Sequence, residues 1–160
     1  MIKRIRCIVH PSDFSSASRA AFSRALDMAK RNGAELLVMH VLAPIQPIVP
    51  SGYLMPERYD EIERSLRDTA QKRLNAQVAR ARKANARARG LLVMGVLPHV
   101  EIVKTARSKK ADMIVMGTHG RSGLTKLFLG SVAERVVATA SCPVLTVRKD
   151  CSGAMRSRSM

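Results

Sequence analysis

Tryptophan is absent from this chain, and aromatic residues of any kind are scarce, with three Phe and two Tyr among 160 residues. A protein that holds single strands by stacking bases on aromatic side chains has no platform here. Cysteine is also sparse: Cys7, Cys142 and Cys151 are odd in number and irregularly spaced. They form neither a disulfide framework nor a thiolate metal motif. No pair of His, Cys or acidic residues has metal-ligand spacing. Long apolar runs are missing too, and none approaches the ~20 residues of a membrane span. The N-terminus, MIKRIRCIVHPSD, lacks a small-residue cleavage pattern and reads as a first strand rather than a leader. A cytoplasmic protein with reduced thiols is the expectation. Acidic residues are the last shortage, 12 against 28 Lys and Arg, for a formal charge of +16.

What is present has a regular rhythm. Ile5 to Val9 is a short branched apolar run, as a buried strand requires. Ser15 follows as a helix cap, Ala21, Ala25, Met28 and Ala29 recur at helical spacing, and Asn32-Gly33 closes the helix. Leu36 to Leu42 is a second apolar strand. Ala43 to Pro56, with four prolines and Gly52, is a loop. A long helix is predicted from Glu57 to about Asn85, with Ile62, Leu66, Ala70, Leu74 and Val78 spaced four apart. Leu91 to Met94 is a third strand, His99 to Lys109 a short helix, and Met113 to Met116 a fourth strand. Ser131 to Thr139 is the last helix and Val144 to Val147 the fifth strand. Strands that are apolar on both faces and alternate with helices predict an α/β fold, a doubly wound five-stranded parallel sheet with helices on both faces. One domain over 1–148 is expected, large enough to bury roughly 70% of its unfolded surface. Residues 149–160 read as a disordered tail.

The chemistry concentrates after the fourth strand. Gly117-Thr118-His119-Gly120-Arg121-Ser122-Gly123 is followed by Gly130-Ser131, giving the spacing G-x2-G-x9-G-S. Strand, glycine-rich loop and helix start together make a phosphate cradle. Glycine permits positive φ and close approach, and the free N–H groups of a helix start face an anion. The motif lacks the Lys-Ser/Thr ending of a P-loop and is not G-x-G-x-x-G. Ser131-x-x-Glu134 also reads as a capping box.

This spacing resembles the ATP-binding signature of the universal stress protein family, and Val115 to Arg148 reads like that family without a gap. Val9 to Ser15 (VHPSDFS) and Met39 to Val41 (MHV) resemble its other two nucleotide-contacting segments. The resemblance implies the strand order 3-2-1-4-5, in which the connection reverses between strands 1 and 4 and leaves a crevice at their C-terminal ends. It implies ATP as ligand, with Gly117, Gly120, Gly130, Ser131 and Val132 on the phosphates and ribose, and Met116 and His119 nearby. Pro11 and Asp13 match positions beside adenosine, and Val41 matches one that lines adenine. Asp13 would accept from a ribose hydroxyl or hold a Mg²⁺-bound water; it also suits a plain turn before the helix. His10 and His40, which end the first two strands near the same crevice, are expected as partly buried structural residues. Cys142, before Pro143, is expected as a small buried thiol.

Fast hydrolysis needs a base or water-positioning group at the γ-phosphate. The glycine segment offers no carboxylate, so at most weak ATPase activity is expected of a nucleotide-dependent stress-response switch. The resemblance further implies a homodimer through Val144–Val147, an uncharged edge that invites pairing, and a protein partner that the sequence does not name. The alternative is a binder of nucleic acid or another anionic surface, with its excess charge between Arg64 and Arg89; such binding would be unspecific and salt-sensitive. Adenine α-hydrolase relatives carry a glycine-bearing loop where this chain has His10-Pro11-Ser12-Asp13-Phe14-Ser15, which disfavours that chemistry.

Overall fold

The computed structural model describes residues 4–45, 56–118 and 129–148. Its elements alternate: β1 (Cys7–Pro11), α1 (Ser16–Asn32), β2 (Glu35–Leu42), α2 (Pro56–Lys83), β3 (Arg87–Met94), α3 (Pro98–Ser108), β4 (Met113–Gly117), α4 (Ser131–Thr139) and β5 (Val144–Val147). The five strands form one parallel sheet in the order β3-β2-β1-β4-β5. This is the doubly wound α/β architecture expected, with the reversal between β1 and β4.

Side-chain alternation along the strands divides the interior into two layers. Ile8, Leu36, Val38, Val115 and Val147 face one side, where they pack with Phe22 and Ala25 of α1 and with Leu74 and Val78 of α2. Val9, Leu37, Met39, Ile114 and Met116 face the other, against Ile102 and Ala106 of α3 and Ala133 and Val136 of α4. Period-two alternation in strands buried on both faces produces this split.

Local signals account for the helix limits. The Ser15 side chain caps α1 by accepting from the Ser18 N–H at 3.1 Å. Gly33 ends it in the left-handed region at φ 62°, donating its N–H back to Ala29 and Lys30, the arrangement for which glycine is favoured. Pro98 sits in the first turn of α3, where its missing N–H costs nothing.

Four expectations are corrected. The first strand runs Cys7–Pro11 rather than Ile5–Val9, and the third begins at Arg87 rather than Leu91. Ser131 is not the cap of α4: Gly130 occupies that position at φ −62° and ψ 147°, with no side-chain cap bond, so the capping box does not form. Positive φ does not explain Gly117 or Gly130, since Gly33 is the glycine with that geometry among the described residues. Most of the Pro-rich loop, His119, Gly120 and the tail from 149 lie outside the described residues.

Candidate functional site

At the C-terminal ends of β1 and β4 the chain leaves a cavity of about 390 Å³. Doubly wound sheets place ligand crevices at this reversal, because the two outgoing connections part to opposite faces. Eight of the ten residues expected at a ligand line it: Pro11, Asp13, Val41, Met116, Gly117, Gly130, Ser131 and Val132. The other two, His119 and Gly120, lie outside the described residues.

The β1 side is built by a short, heavily hydrogen-bonded turn. Ser12 N–H donates to the Met39 carbonyl at 2.8 Å, which ties the turn to β2. The Ser12 hydroxyl accepts from the Phe14 N–H at 3.3 Å and from the Ser18 hydroxyl at 3.1 Å. Asp13 Oδ1 accepts from the Ser15 N–H at 3.0 Å. Asp13 thus serves the turn and lines the cavity at once. Phe14 is held at φ 63°, a conformation costly for a bulky residue and persisting where surroundings over-determine it. Its ring lies 4.5 Å from the His40 ring, and the Arg73 guanidinium stands 5.8 Å from its centroid.

On the β4 side, the Thr118 carbonyl accepts from the Gly130 N–H at 2.7 Å, while the Thr118 N–H donates to Val147 at 3.0 Å. These bonds hold Thr118 beside Gly130, and both residues line the cavity. They also aim the start of α4 at it: Ser131, Val132 and Ala133 line the cavity in the first turn, and among the described residues no side chain caps that helix. An uncapped first turn offers N–H donors and the positive end of the helix dipole to an anion. Gly117 has a different task. A Cβ there would stand 3.0 Å from the Ala17 carbonyl carbon and 3.2 Å from the Ser18 nitrogen. Glycine at 117 is needed so that α1 can approach β4.

Met39, Val41, Ile102, Met116 and Pro98 give the cavity an apolar part of its lining. The cavity therefore joins an apolar lining that suits a flat ring to a helix start that suits an anion. Asp13 is the sole acidic residue among the described lining residues, and no Lys or Arg is among them. A single carboxylate beside waters and phosphate oxygens suits Mg²⁺; among the described residues no cluster of three His, Cys, Asp or Glu could hold a metal alone.

Both strand-end histidines are more buried than the sequence led one to expect. His10 is fully buried, with Nδ1 2.8 Å from the Val115 carbonyl and Nε2 without a partner. Burial pushes its imidazole down from the ordinary 6.5 to about 4, against the opposing effects of the Val115 bond and the Asp13 charge. His40 Nδ1 donates to the Ser12 carbonyl at 2.6 Å, so its ring braces the turn while also lining the cavity. Cys142 is only half-buried. Burial, then the charge of Asp112, pushes its thiol above the ordinary value.

Sequence reasoning missed several lining residues. Met39 and His40 lay in a segment already read as contacting a ligand, and Ser12 within another. Pro98, Ile102 and Ala133 carried no signal, because their place depends on how α3 and α4 cross the sheet. Among the described residues, no helix is long and apolar enough to cross a membrane.

Comparison with known proteins agrees with this geometry. The sequence profile of the universal stress protein family matches residues 4–148. A universal stress protein of Methanocaldococcus jannaschii is 39% identical over 142 residues, covering 89% of this chain and 81% of the relative. Among solved structures, a second such protein from that organism superposes with a TM-score of 0.78 at 27% identity, covering 91% of this chain and 97% of its own. The universal stress protein of Archaeoglobus fulgidus in complex with dAMP superposes with a TM-score of 0.61 at 29% identity, covering 92% and 99%.

Proposed function

This chain belongs to the universal stress protein family, and from that premise we propose that it binds ATP with Mg²⁺ in the crevice between β1 and β4. The observation that carries the reading is the pairing, within one cavity, of apolar lining residues with the first turn of α4, which no side chain caps among the described residues. The adenine would rest against Val41 and Met39, with Pro11 beside the nucleoside. The phosphates would accept N–H groups from Ser131 and Val132, with Gly130, Gly117 and the sequence-assigned His119 and Gly120 alongside. Hydrogen bonds to a charged group contribute about 1.5–3 kcal/mol each. Several of them supply the ~8 kcal/mol of micromolar binding. The dAMP complex of the Archaeoglobus fulgidus relative supports an adenine nucleotide as the ligand class.

Mg²⁺ would supply charge neutralisation between phosphate oxygens, and Asp13 would hold it through water. With one carboxylate and no cation among the described lining residues, the site holds the nucleotide and hydrolyses it slowly at most. The nucleotide state would then tune contact with a protein partner, as a switch in a stress response inside the cytoplasm.

Calorimetric titration with ATP and Mg²⁺ tests this directly, with ADP and AMP run beside it. The expected result is micromolar binding near one nucleotide per chain, little changed by salt. No heat and no thermal stabilisation at millimolar ATP would overturn the assignment. Gly120→Val should abolish binding in a chain that still melts cooperatively; unchanged affinity would remove the glycine loop from the site.

A further inference from the structure

We propose that the end of the sheet opposite the crevice is a docking face for the phosphate backbone of double-stranded nucleic acid. In a parallel sheet every strand starts at one end, and every crossover helix finishes there. In this chain several of those positions, on β1, β3, α1, α2 and α3, carry cations, while α4 has none in its last turn. Arg4 and Arg6 lead into β1, and Arg87 opens β3. Lys30 and Arg31 close α1, while Arg82 and Lys83 close α2. Lys109 and Lys110 follow α3. All of these are exposed. Against them stand two carboxylates already engaged: Glu35 is paired with Arg89 at 2.5 Å, and Asp112 accepts the N–H groups of Arg6 and Cys7 at 2.9 and 3.1 Å.

Cations in the last turn of a helix are ordinary complements of its dipole. That explanation covers Lys30, Arg31, Arg82 and Lys83, but not Arg4, Arg6 or Arg87. These three stand on strand starts and line one surface depression together with Gly33 and Glu35. Arg87 is held there by a 2.7 Å bond to the Gly33 carbonyl. Guanidinium groups fit phosphate oxygens in pairs, more closely than ammonium groups do. Phosphate recognition is therefore the chemistry of this face.

The form of the polyanion follows from what accompanies the charge. None of the named positions is aromatic, so bases are not stacked and single strands have no platform. A duplex presents one charge per ~1.7 Å of axis on its outside. From Arg87 on β3 to Lys109 and Lys110 before β4 the cations span three strand spacings of ~4.8 Å, about 14 Å, enough to meet phosphates of both strands. The binding is sequence-independent, since nothing here reaches base edges. It also differs in place from the alternative read in the sequence. The Arg64–Arg89 stretch is not one patch, because α2 carries its first arginines far from the end where Arg82, Arg87 and Arg89 gather. The face lies across the sheet from the crevice, so this inference does not depend on the nucleotide reading.

The test compares two triple variants of the full chain, each lowering the formal charge from +16 to 16 − 3 = +13. The first is Arg4→Gln/Arg6→Gln/Lys109→Gln; the control is Arg64→Gln/Arg67→Gln/Lys72→Gln. Fluorescence anisotropy with a labelled 20-base-pair duplex is followed from about 50 to 200 mM salt. The first variant should bind at least about tenfold more weakly and lose ~2.7 from the salt slope, at ~0.9 per lost contact; the control should change less than about twofold. Circular dichroism melts verify that both variants are folded. Equal weakening of the two variants would overturn the proposal, as diffuse charge. So would no duplex binding by the parent chain at the lowest salt, or preference for anionic vesicles of phosphatidylserine over the duplex.

Discussion

His10 sits where β1 meets the crevice, fully buried between Phe22, 5.7 Å away between ring centroids, and the Val115 carbonyl. Burial favours the neutral ring, so its folded pKa falls from 6.5 to about 4. The unfolded chain then binds more protons than the native one between those values, and stability falls as pH drops through 6.5. The loss from this one group should reach about 2 kcal/mol at pH 5 and level off below pH 4. Urea titrations at pH 7.5 and 5.0 measure it. His10→Gln, neutral at both, should remove that part of the pH dependence. An unchanged pH dependence in that variant would show that the loss comes from elsewhere.

Elements pack as closely as backbone permits where β4 runs under the start of α1. Gly117→Ala places a methyl group against the Ala17 and Ser18 backbone, and a helix backbone cannot rotate aside as a side chain can. A loss of about 1–3 kcal/mol is expected by denaturant titration, and it should appear without nucleotide as well as with it. Gly117 lines the cavity as the sequence suggested, and helix packing independently demands a glycine there. The misplaced strand limits have equally local causes. Pro11 reads as a strand breaker, yet it ends β1, where it pairs in register with Met39 of β2 and β4 no longer follows it. Arg87 and Arg89 hid the start of β3, because an edge strand exposes alternate residues and does not need the apolar run of an inner one. The last helix and the fifth strand were legible because buried runs are local signals, whereas the strand order came from the family resemblance. The α3 contribution to the cavity was not legible, since Pro98 and Ile102 reach it only through a crossover.

At the scale of the whole molecule, the two sheet edges differ. β3 carries Arg87 and Arg89 along one edge, and such charges discourage strand pairing. β5 forms the other edge without charge, and Leu145 on it and Val137 on α4 are 38% and 49% exposed. This contrast supports the proposed homodimer through Val144–Val147. Leu145→Glu should convert two-chain particles to single chains in light scattering after size exclusion, with the melting transition retained. A parent chain that is already monomeric at micromolar concentration would rule the interface out.

The 2.8 Å contact between His10 and Val115 joins residues 105 positions apart. During synthesis at about 5–20 residues per second, that partner arrives roughly 5–20 s after His10 has left the ribosome's active centre. Until then β1, later the middle of the sheet, has an open flank, and the nascent chain must keep it from finding another strand. β2 and β3 are made first and can close its other side. A molecule whose middle strand is synthesised first and completed late is most exposed to mispairing while half-made, and the interval is written into the order in which its strands are laid down.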